Sequence, residues 1–532
     1  MPDHTTAKGD IIMDNSWIGN YSYSRARLNA DGVAVVDLDT NKKYSYGDLD
    51  RRANTLANLL RNKFGITKGD RVAFISRNRV ELIDGYFATG KLGAILVPYN
   101  ARLSAEELTQ LMTNEQPKVL FYEGVSAATV EKLAENGVMK QFVCLDEDSN
   151  PLGHTVYEQM MANGDPSAVS CPELQLDDIH LIIHTGGTTG LPKGGLISHK
   201  GEIFNSFSEI CTWGLRYDDK ALILLPLFHT GGWNLLTLPL LHSGGTIYIN
   251  RAYDPKKTIE TVEKEKITYL FGAATIFRMM VERPEFETAD LSSLKWLMAG
   301  AAPTPLNIMQ QFWNKGLKFV LGYGMTEAGP NNLSTPPQFV SQEVVEEKYA
   351  SVGKPFYLTM PKLIDDDGNE ITTPDTPGEL LWAGPQIFCG YWGNETETKN
   401  TLVDGWVHTG DMASFDKDGF YYIVGRKKNM FISGGENVFP PEIESAIYEI
   451  EAVREVCVIG VPDEKWGEVG KAVISLKPGI TIDKAGILAE LNGKLARYKI
   501  PKYVTFVDDV PKNNVGKIVV NQIQKMYGEA GD

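Results

Sequence analysis

Cysteine is scarce in this chain. Five occur among 532 residues, Cys144, Cys171, Cys211, Cys389 and Cys457, odd in number and never spaced as C-x-x-C. That excludes a disulfide framework or a cysteine zinc site as the organising principle and points to a reducing cytoplasm. Long apolar runs are also missing. None approaches the ~20 residues of a membrane-spanning helix, and the polar segment from Met1 to Ser16 has no apolar signal-peptide core. No transmembrane segment is expected, and peripheral membrane contact stays open. Basic charge is in short supply too, with 52 Lys and Arg against 68 Asp and Glu, a net charge of -16. A general nucleic-acid binder carries a basic field. Any anionic ligand must therefore be held locally, by single cations, backbone N–H groups or a metal ion.

What remains is ordinary globular material, 43% hydrophobic and 23% charged. A chain this long is expected to form two or more domains. From Gly32 to Tyr122 strand and helix patterns alternate: Val33–Asp39 is β-branched and apolar, Leu49, Ala53, Leu56 and Leu60 recur at helical spacing, Arg71–Ser76 reads as strand and Val80–Leu92 as helix. Such alternation predicts βαβ units and a largely parallel sheet. After a polar stretch at 146–178 the pattern resumes with His180–His184. Further strands are predicted at 221–225, 246–250, 269–272, 296–299 and 319–322. Beyond Pro355 short strands and turn signals predict a β-rich subregion. Arg426-Lys427-Lys428-Asn429 reads as a connector, followed by a small α+β unit with helices at 442–448 and 487–495 and strands at 453–461 and 471–476. The expected fold is α/β: a large N-terminal domain, 1–427, of βαβ-type subdomains plus the β-rich subregion, and a small mobile α+β domain, 428–532.

Five motifs stand out. Thr185-Gly186-Gly187-Thr188-Thr189-Gly190-Leu191-Pro192-Lys193-Gly194 follows an apolar strand. Consecutive glycines and hydroxyls let N–H and O–H groups converge on phosphate oxygens, yet the string lacks the Gly-Lys-[Ser/Thr] ending of a Walker A loop. The others are Gly322-Tyr323-Gly324-Met325-Thr326-Glu327, Asp404-Gly405-Trp406-Val407-His408-Thr409-Gly410-Asp411 with Gly425-Arg426, Ile432-Ser433-Gly434-Gly435-Glu436, and Pro511-Lys512-Asn513-Asn514-Val515-Gly516-Lys517. The first is too long and too rich in Gly and Thr to read as a chance surface turn, whereas the others taken singly could be turns or solvated charges. Together, in this order, they resemble the motifs of the adenylate-forming superfamily of acyl-CoA synthetases, luciferases and peptide-synthetase adenylation domains. The likeness runs from about Tyr44 to Ile523.

That resemblance implies roles. Thr185, Gly186, Gly187, Thr188, Thr189, Gly190 and Lys193 would cradle ATP phosphates; where the family usually has Ser, Gly186 offers only its backbone. Ala301 and Ala302 would wall the adenine, with Gly322, Tyr323, Gly324 and Met325 beside it. Thr326 and Glu327 would act at the reacting phosphate, with Thr188 and Glu327 holding Mg²⁺. Asp411 and Arg426 would bind the ribose side, and Lys517 would be the catalytic lysine. Gly434, Gly435 and Glu436 would line the CoA side, with Lys428 as hinge. ATP and CoA are the implied substrates, and a monomer or homodimer is expected.

Pro226-Leu227-Phe228-His229-Thr230-Gly231-Gly232-Trp233 bears on the acid. No carboxylate lies between Pro226 and Leu241 to pair a substrate ammonium, so an amino acid is disfavoured. His229, Trp233 and Gly324 are expected to shape the acyl site. The favoured reading is a medium- or long-chain fatty acid joined to CoA through acyl-AMP. The alternatives are an aryl-acid CoA ligase, or an adenylation module that loads a carrier protein without CoA.

Overall fold

The computed structural model describes residues 15–186, 191–300, 304–512 and 518–531. Among them the strand–helix alternation produces two largely parallel sheets. The first has nine strands, in the order Lys354–Pro355, Leu333–Ser334, Phe319–Tyr323, Trp296–Ala299, Tyr269–Gly272, Lys220–Ile223, Thr246–Ile249, Val33–Asp37 and Lys42–Ser45. The run from Phe319–Tyr323 to Val33–Asp37 is parallel throughout. The second has seven: Thr155–Val156, Phe142–Cys144, Val119–Tyr122, Arg71–Ile75, Ile95–Tyr99, Ile179–Thr185 and, antiparallel at its edge, Lys193–Ser198. Central parallel strands are covered on both faces and so read as unbroken apolar runs; Ile95–Tyr99 and Trp296–Ala299 are buried at every position.

Helices start and stop where local chemistry directs. Tyr46–Phe64 opens on a Ser45/Asp48 capping box and closes at Gly65 with φ of 64°. Its Leu49, Ala53, Leu56 and Leu60 face the core. The carboxyl ends of the parallel strands deliver Thr185, the segment after Ile223, Ala299 and Tyr323 to one rim of the sheets. Ligands of open α/β sheets gather at that rim.

The β-rich subregion is a five-stranded antiparallel sheet. Its strand Trp406–Phe415 pairs with Gly378–Ala383, Leu402–Val403 and Tyr421–Arg426. The C-terminal part forms its own sheet from Phe431–Ser433, Glu436–Val438, Val453–Asp463, Gly467–Leu476 and Tyr503–Phe506, covered by helices Pro440–Tyr448 and Lys484–Leu491.

Three sequence expectations change. The polar stretch 146–178 is not an interruption, because Thr155–Val156 adds a strand and Tyr157–Ala162 a helix. Arg426 ends a strand rather than opening a connector, leaving a single turn at Lys427–Asn429. The helix expected at 487–495 runs Lys484–Leu491, capped by Asp483. Its helical pattern had no N-cap signal of its own, and the Asp483 carboxylate sets the start.

One buried ion group ties the N-terminal helices together. Arg52 Nε donates to Asp84 Oδ2 at 2.9 Å, Arg52 Nη2 to Glu158 Oε1 at 2.7 Å, and the Tyr157 hydroxyl to Asp84 Oδ2 at 2.9 Å. Burial pushes the Asp84 carboxyl up to about 6, against the pull of Arg52. A carboxyl raised in the folded state favours folding below its ordinary range, and that contribution is lost as pH rises through about 6. Arg52→Met should therefore cost about 3–5 kcal/mol at pH 8, where Asp84 is left charged without its counter-ion. The loss should be smaller at pH 5 and largely reversed by adding Asp84→Asn. Urea unfolding at the two pH values measures this; an equal loss at both would remove Asp84 from the explanation.

Candidate active site

At the rim of the first sheet three elements meet on one carboxylate. Antiparallel pairing sets Asp411 directly opposite Arg426. Arg426 Nε lies 2.6 Å from Asp411 Oδ1, and the Tyr323 hydroxyl donates to Oδ2 at 2.6 Å. Arg426 Nη1 also donates to the Thr409 carbonyl at 3.0 Å, and the Asp411 N–H to Thr409 Oγ1 at 2.9 Å. Burial and the neighbouring Asp411 carboxylate hold the Tyr323 phenol well above its ordinary range, so it stays a donor. Asp411 is thus fixed in place as a carboxylate, a group with about four lone-pair positions for donors. That suits a vicinal diol.

Just beyond Tyr323, the turn Thr326–Ala328 buries both Thr326 and Glu327. Glu327 Oε1 accepts from the Tyr391 hydroxyl at 2.7 Å and the Thr185 hydroxyl at 3.3 Å. Thr185 ends its strand and leads into Gly186, where an added Cβ would meet nothing within 4 Å. Lys193 forms an ion pair with Glu397 and lies 5.3 Å from the centre of the Tyr391 ring. Carboxylate and hydroxyl oxygens side by side are the hard donors Mg²⁺ takes, so Glu327 and Thr185 fit that ion. Gly187, Thr188, Thr189, Gly190, Ala301, Ala302 and Lys517 lie outside the described residues. Gly322 and Met325 flank Tyr323 on the same rim, and Met325 packs against the core under the β-rich sheet.

His229 caps a short helix, its Nδ1 accepting from the Gly231 N–H at 3.1 Å. Trp233 is fully buried, stacked on Tyr86 with ring centres 5.2 Å apart. Gly324 is tightly enclosed: a Cβ there would lie 1.6 Å from the Pro330 carbonyl oxygen. Between these residues runs a polar seam. Thr230 Oγ1 donates to Asn234 Oδ1 at 3.4 Å, and the Asn234 carbonyl accepts from Asn205 Nδ2 at 2.8 Å and Asn331 Nδ2 at 3.4 Å. Asn205, Asn331, Tyr391 and Glu397 carry no local motif, and their partners lie tens to hundreds of positions away. Sequence reasoning missed them for that reason.

In the C-terminal part Gly434 and Gly435 form a two-residue hairpin turn closed by the Ser433–Glu436 pair. Their φ values of 63° and 90° are those of a type I′ turn, which favours glycine at both places. The Gly434 N–H donates to the Trp466 carbonyl at 2.8 Å. Lys428 lies in the single turn between Arg426 and Phe431. Glu455 joins Lys512 at 2.7 Å and Arg278 of the large part at 3.6 Å, anchoring the chain just before 513–517.

Among the described residues, His180, His199 and Glu202 also bring metal-ligating atoms together. Their geometry argues against an ion. The two rings stack nearly parallel, 4.4 Å apart at 15°, so their in-plane lone pairs do not converge. Both His180 nitrogens are already engaged, by Glu202 at 2.8 Å and the Tyr86 carbonyl at 3.0 Å.

The glycines give a direct check. Gly324→Ala drives a methyl into backbone, so the 329–331 turn must shift. Gly435→Ala has open space around it and incurs only the left-handed conformation, about 1–2 kcal/mol. Thermal unfolding should show the larger loss for Gly324→Ala; the reverse order would contradict the turn geometry.

Comparison with known proteins agrees with this arrangement. The AMP-binding enzyme family model matches residues 23–392, and that of the AMP-binding enzyme C-terminal domain matches 442–517. The chain is 37% identical to feruloyl-CoA synthase of Amycolatopsis sp, over 97% of this chain and all of that protein. It is 33% identical to a long-chain-fatty-acid–CoA ligase of Bacillus subtilis, over 90% of this chain and 89% of that one. ATP-bound MatB from Rhodopseudomonas palustris superposes with a TM-score of 0.86 at 30% identity, covering 96% of this chain and 99% of that one. With this rim, these motifs and these relatives, the chain belongs to the AMP-binding enzyme family and is an ATP-dependent, AMP-forming acyl-CoA ligase.

Proposed function

We propose that the acid this ligase activates is an aryl acid. The observation that carries this is the polar seam beside His229, where the buried side chains of Thr230, Asn205, Asn234 and Asn331 stand where an alkyl chain would want hydrocarbon. Most of these groups pair with one another, but Asn205 Oδ1 accepts from no donor among the described residues, and a fatty acyl chain laid against it leaves it so, at about 1–3 kcal/mol. A substituted ring can pair with it. The name of the feruloyl-CoA synthase relative supports the same class. A medium- or long-chain fatty acid is the second reading, supported by the Bacillus subtilis relative and by Leu225, Leu227 and Leu235 nearby.

The steps follow from the residues. Asp411, held by Tyr323 and Arg426, takes the ribose hydroxyls of ATP. Thr185, Gly186, the loop through Gly190 and Lys193 hold its phosphates, and Thr326 faces the reacting one. Glu327 and Thr185, with Thr188, would hold Mg²⁺, which supplies charge neutralisation at the phosphates. The substrate carboxylate, placed beside His229 and Gly324, attacks the α-phosphate and pyrophosphate leaves. Lys517 stabilises the charge that develops there. The small domain, taken as 428–532, then turns about Lys428 and presents Gly434, Gly435 and Glu436, and the CoA thiol displaces AMP. The released thioester distinguishes this from a module that loads a carrier protein.

Two measurements test the scheme. Pyrophosphate release with CoA, across cinnamic, benzoic and C8–C16 fatty acids, should rank an aryl acid first by at least about tenfold in kcat/KM; a fatty acid ranked first would replace the substrate class. Lys517→Ala should lower acyl-AMP formation by about 10²–10³-fold while thioester formation from supplied acyl-AMP survives. Lys428→Pro, which fixes a backbone angle at the hinge, should keep adenylation and lose thioester formation. Wild-type rates in both half-reactions would move the hinge elsewhere.

A further inference from the structure

Glu209 has no place in the scheme above, yet it is a fully buried carboxyl whose oxygens find no hydrogen-bond partner among the described residues beyond the adjacent Asn205 side chain. It lies on the helix His199–Trp213, where Glu202, Asn205 and Glu209 recur at spacings of three and four and so share one face. All three are buried, and Glu202 Oε1 and Asn205 Oδ1 are likewise without donors among the described residues. Leaving such acceptors dry costs about 1–3 kcal/mol apiece. A fold keeps such a cost at a place where something else supplies the missing donors.

The position of this face is fixed by contacts already described. Asn205 Nδ2 grips the Asn234 carbonyl at 2.8 Å. Asn234 lies one turn after Thr230 and His229. The same carbonyl accepts from Asn331, which follows the Pro330 that closes over Gly324. A chain of contacts thus leads from the reacting end of the acyl site, His229 and Gly324, through Asn234 to Asn205. Glu209 is one helical turn further on, about 6 Å along the helix.

We propose that Glu209, with Asn205, forms the far wall of the acyl site and hydrogen-bonds a hydroxyl on the ring of the aryl acid, making these two the residues that select hydroxylated aryl acids over unsubstituted ones. The assignment rests on the aryl-acid reading of the previous subsection. A ring hydroxyl donates one hydrogen bond and accepts another, which matches a carboxyl group beside an amide. Burial pushes the Glu209 carboxyl well above its ordinary range, with the Asn205 side chain as counterweight, so the group faces its ligand uncharged and able to donate as well as accept. An uncharged partner also leaves the phenol protonated.

The test compares kcat/KM for 4-hydroxycinnamate, cinnamate and decanoate, with ATP and CoA, in the wild type, Glu209→Gln and Glu209→Leu. The wild type should prefer 4-hydroxycinnamate to cinnamate at least tenfold. Glu209→Leu should bring that ratio to within about twofold, the loss falling 10- to 100-fold more heavily on the hydroxy acid than on cinnamate. Glu209→Gln, the same size with donor and acceptor retained, should keep part of the preference. A wild-type ratio near one overturns the assignment without any variant, as does a ratio unchanged in Glu209→Leu; both leave the aryl-acid reading standing. Turnover of decanoate alone by the wild type overturns that reading, and this assignment with it.

Discussion

The pairing of Asp411 with Arg426 is the constraint on which the rest of the site is arranged. Two antiparallel strands of the β-rich sheet set the residues opposite each other, and the end of a parallel strand from a different sheet supplies Tyr323 to the other carboxylate oxygen. A buried carboxylate is tolerated only when paired and hydrogen-bonded, so this triangle fixes how the two sheets meet. Once Tyr323 is held there, the following turn must carry Thr326 and Glu327 inward beneath Thr185 and Tyr391. In the proposed reading the same carboxylate takes the ribose, and the phosphates then fall toward Glu327.

In the proposed reading the acid half of the site depends on a different physical balance. Trp233 stacks on Tyr86 on its apolar side, while Asn205, Asn234 and Asn331 form a buried polar seam beside it. A site built this way gains little from a longer hydrocarbon and much from a matching polar group. Hydrophobic pockets discriminate weakly per methylene, whereas buried hydrogen-bonding groups reject ligands that leave them unpaired.

Much of this was legible in the sequence because it is local. The Tyr323–Glu327 string, Asp411 and Arg426 each have their spacing written within a few residues, and parallel strands announce themselves as apolar runs. Several edges were not legible for the opposite reason. The strand Thr155–Val156 is too short to show a period, and the cap at Asp483 competes with an equally helical stretch after it. The seam and Glu209 were missed because a buried polar residue on a helix looks like a solvated one until its neighbours are known. The reading of a fatty acid came from apolar residues near His229, and in the proposed reading the polar face of His199–Trp213 favours a ring instead.

The most direct measurement concerns the central carboxylate. Pyrophosphate release can be followed with ATP and with 2′,3′-dideoxyATP, in the wild type and in Asp411→Asn. If Asp411 reads the ribose hydroxyls, the wild type should favour ATP by about 10- to 100-fold in kcat/KM, the worth of a hydrogen bond to a charged group. Asp411→Asn should lose most of that preference, the ratio of ATP to analogue falling toward one whatever the variant loses in overall activity. Equal discrimination in wild type and variant would contradict the account.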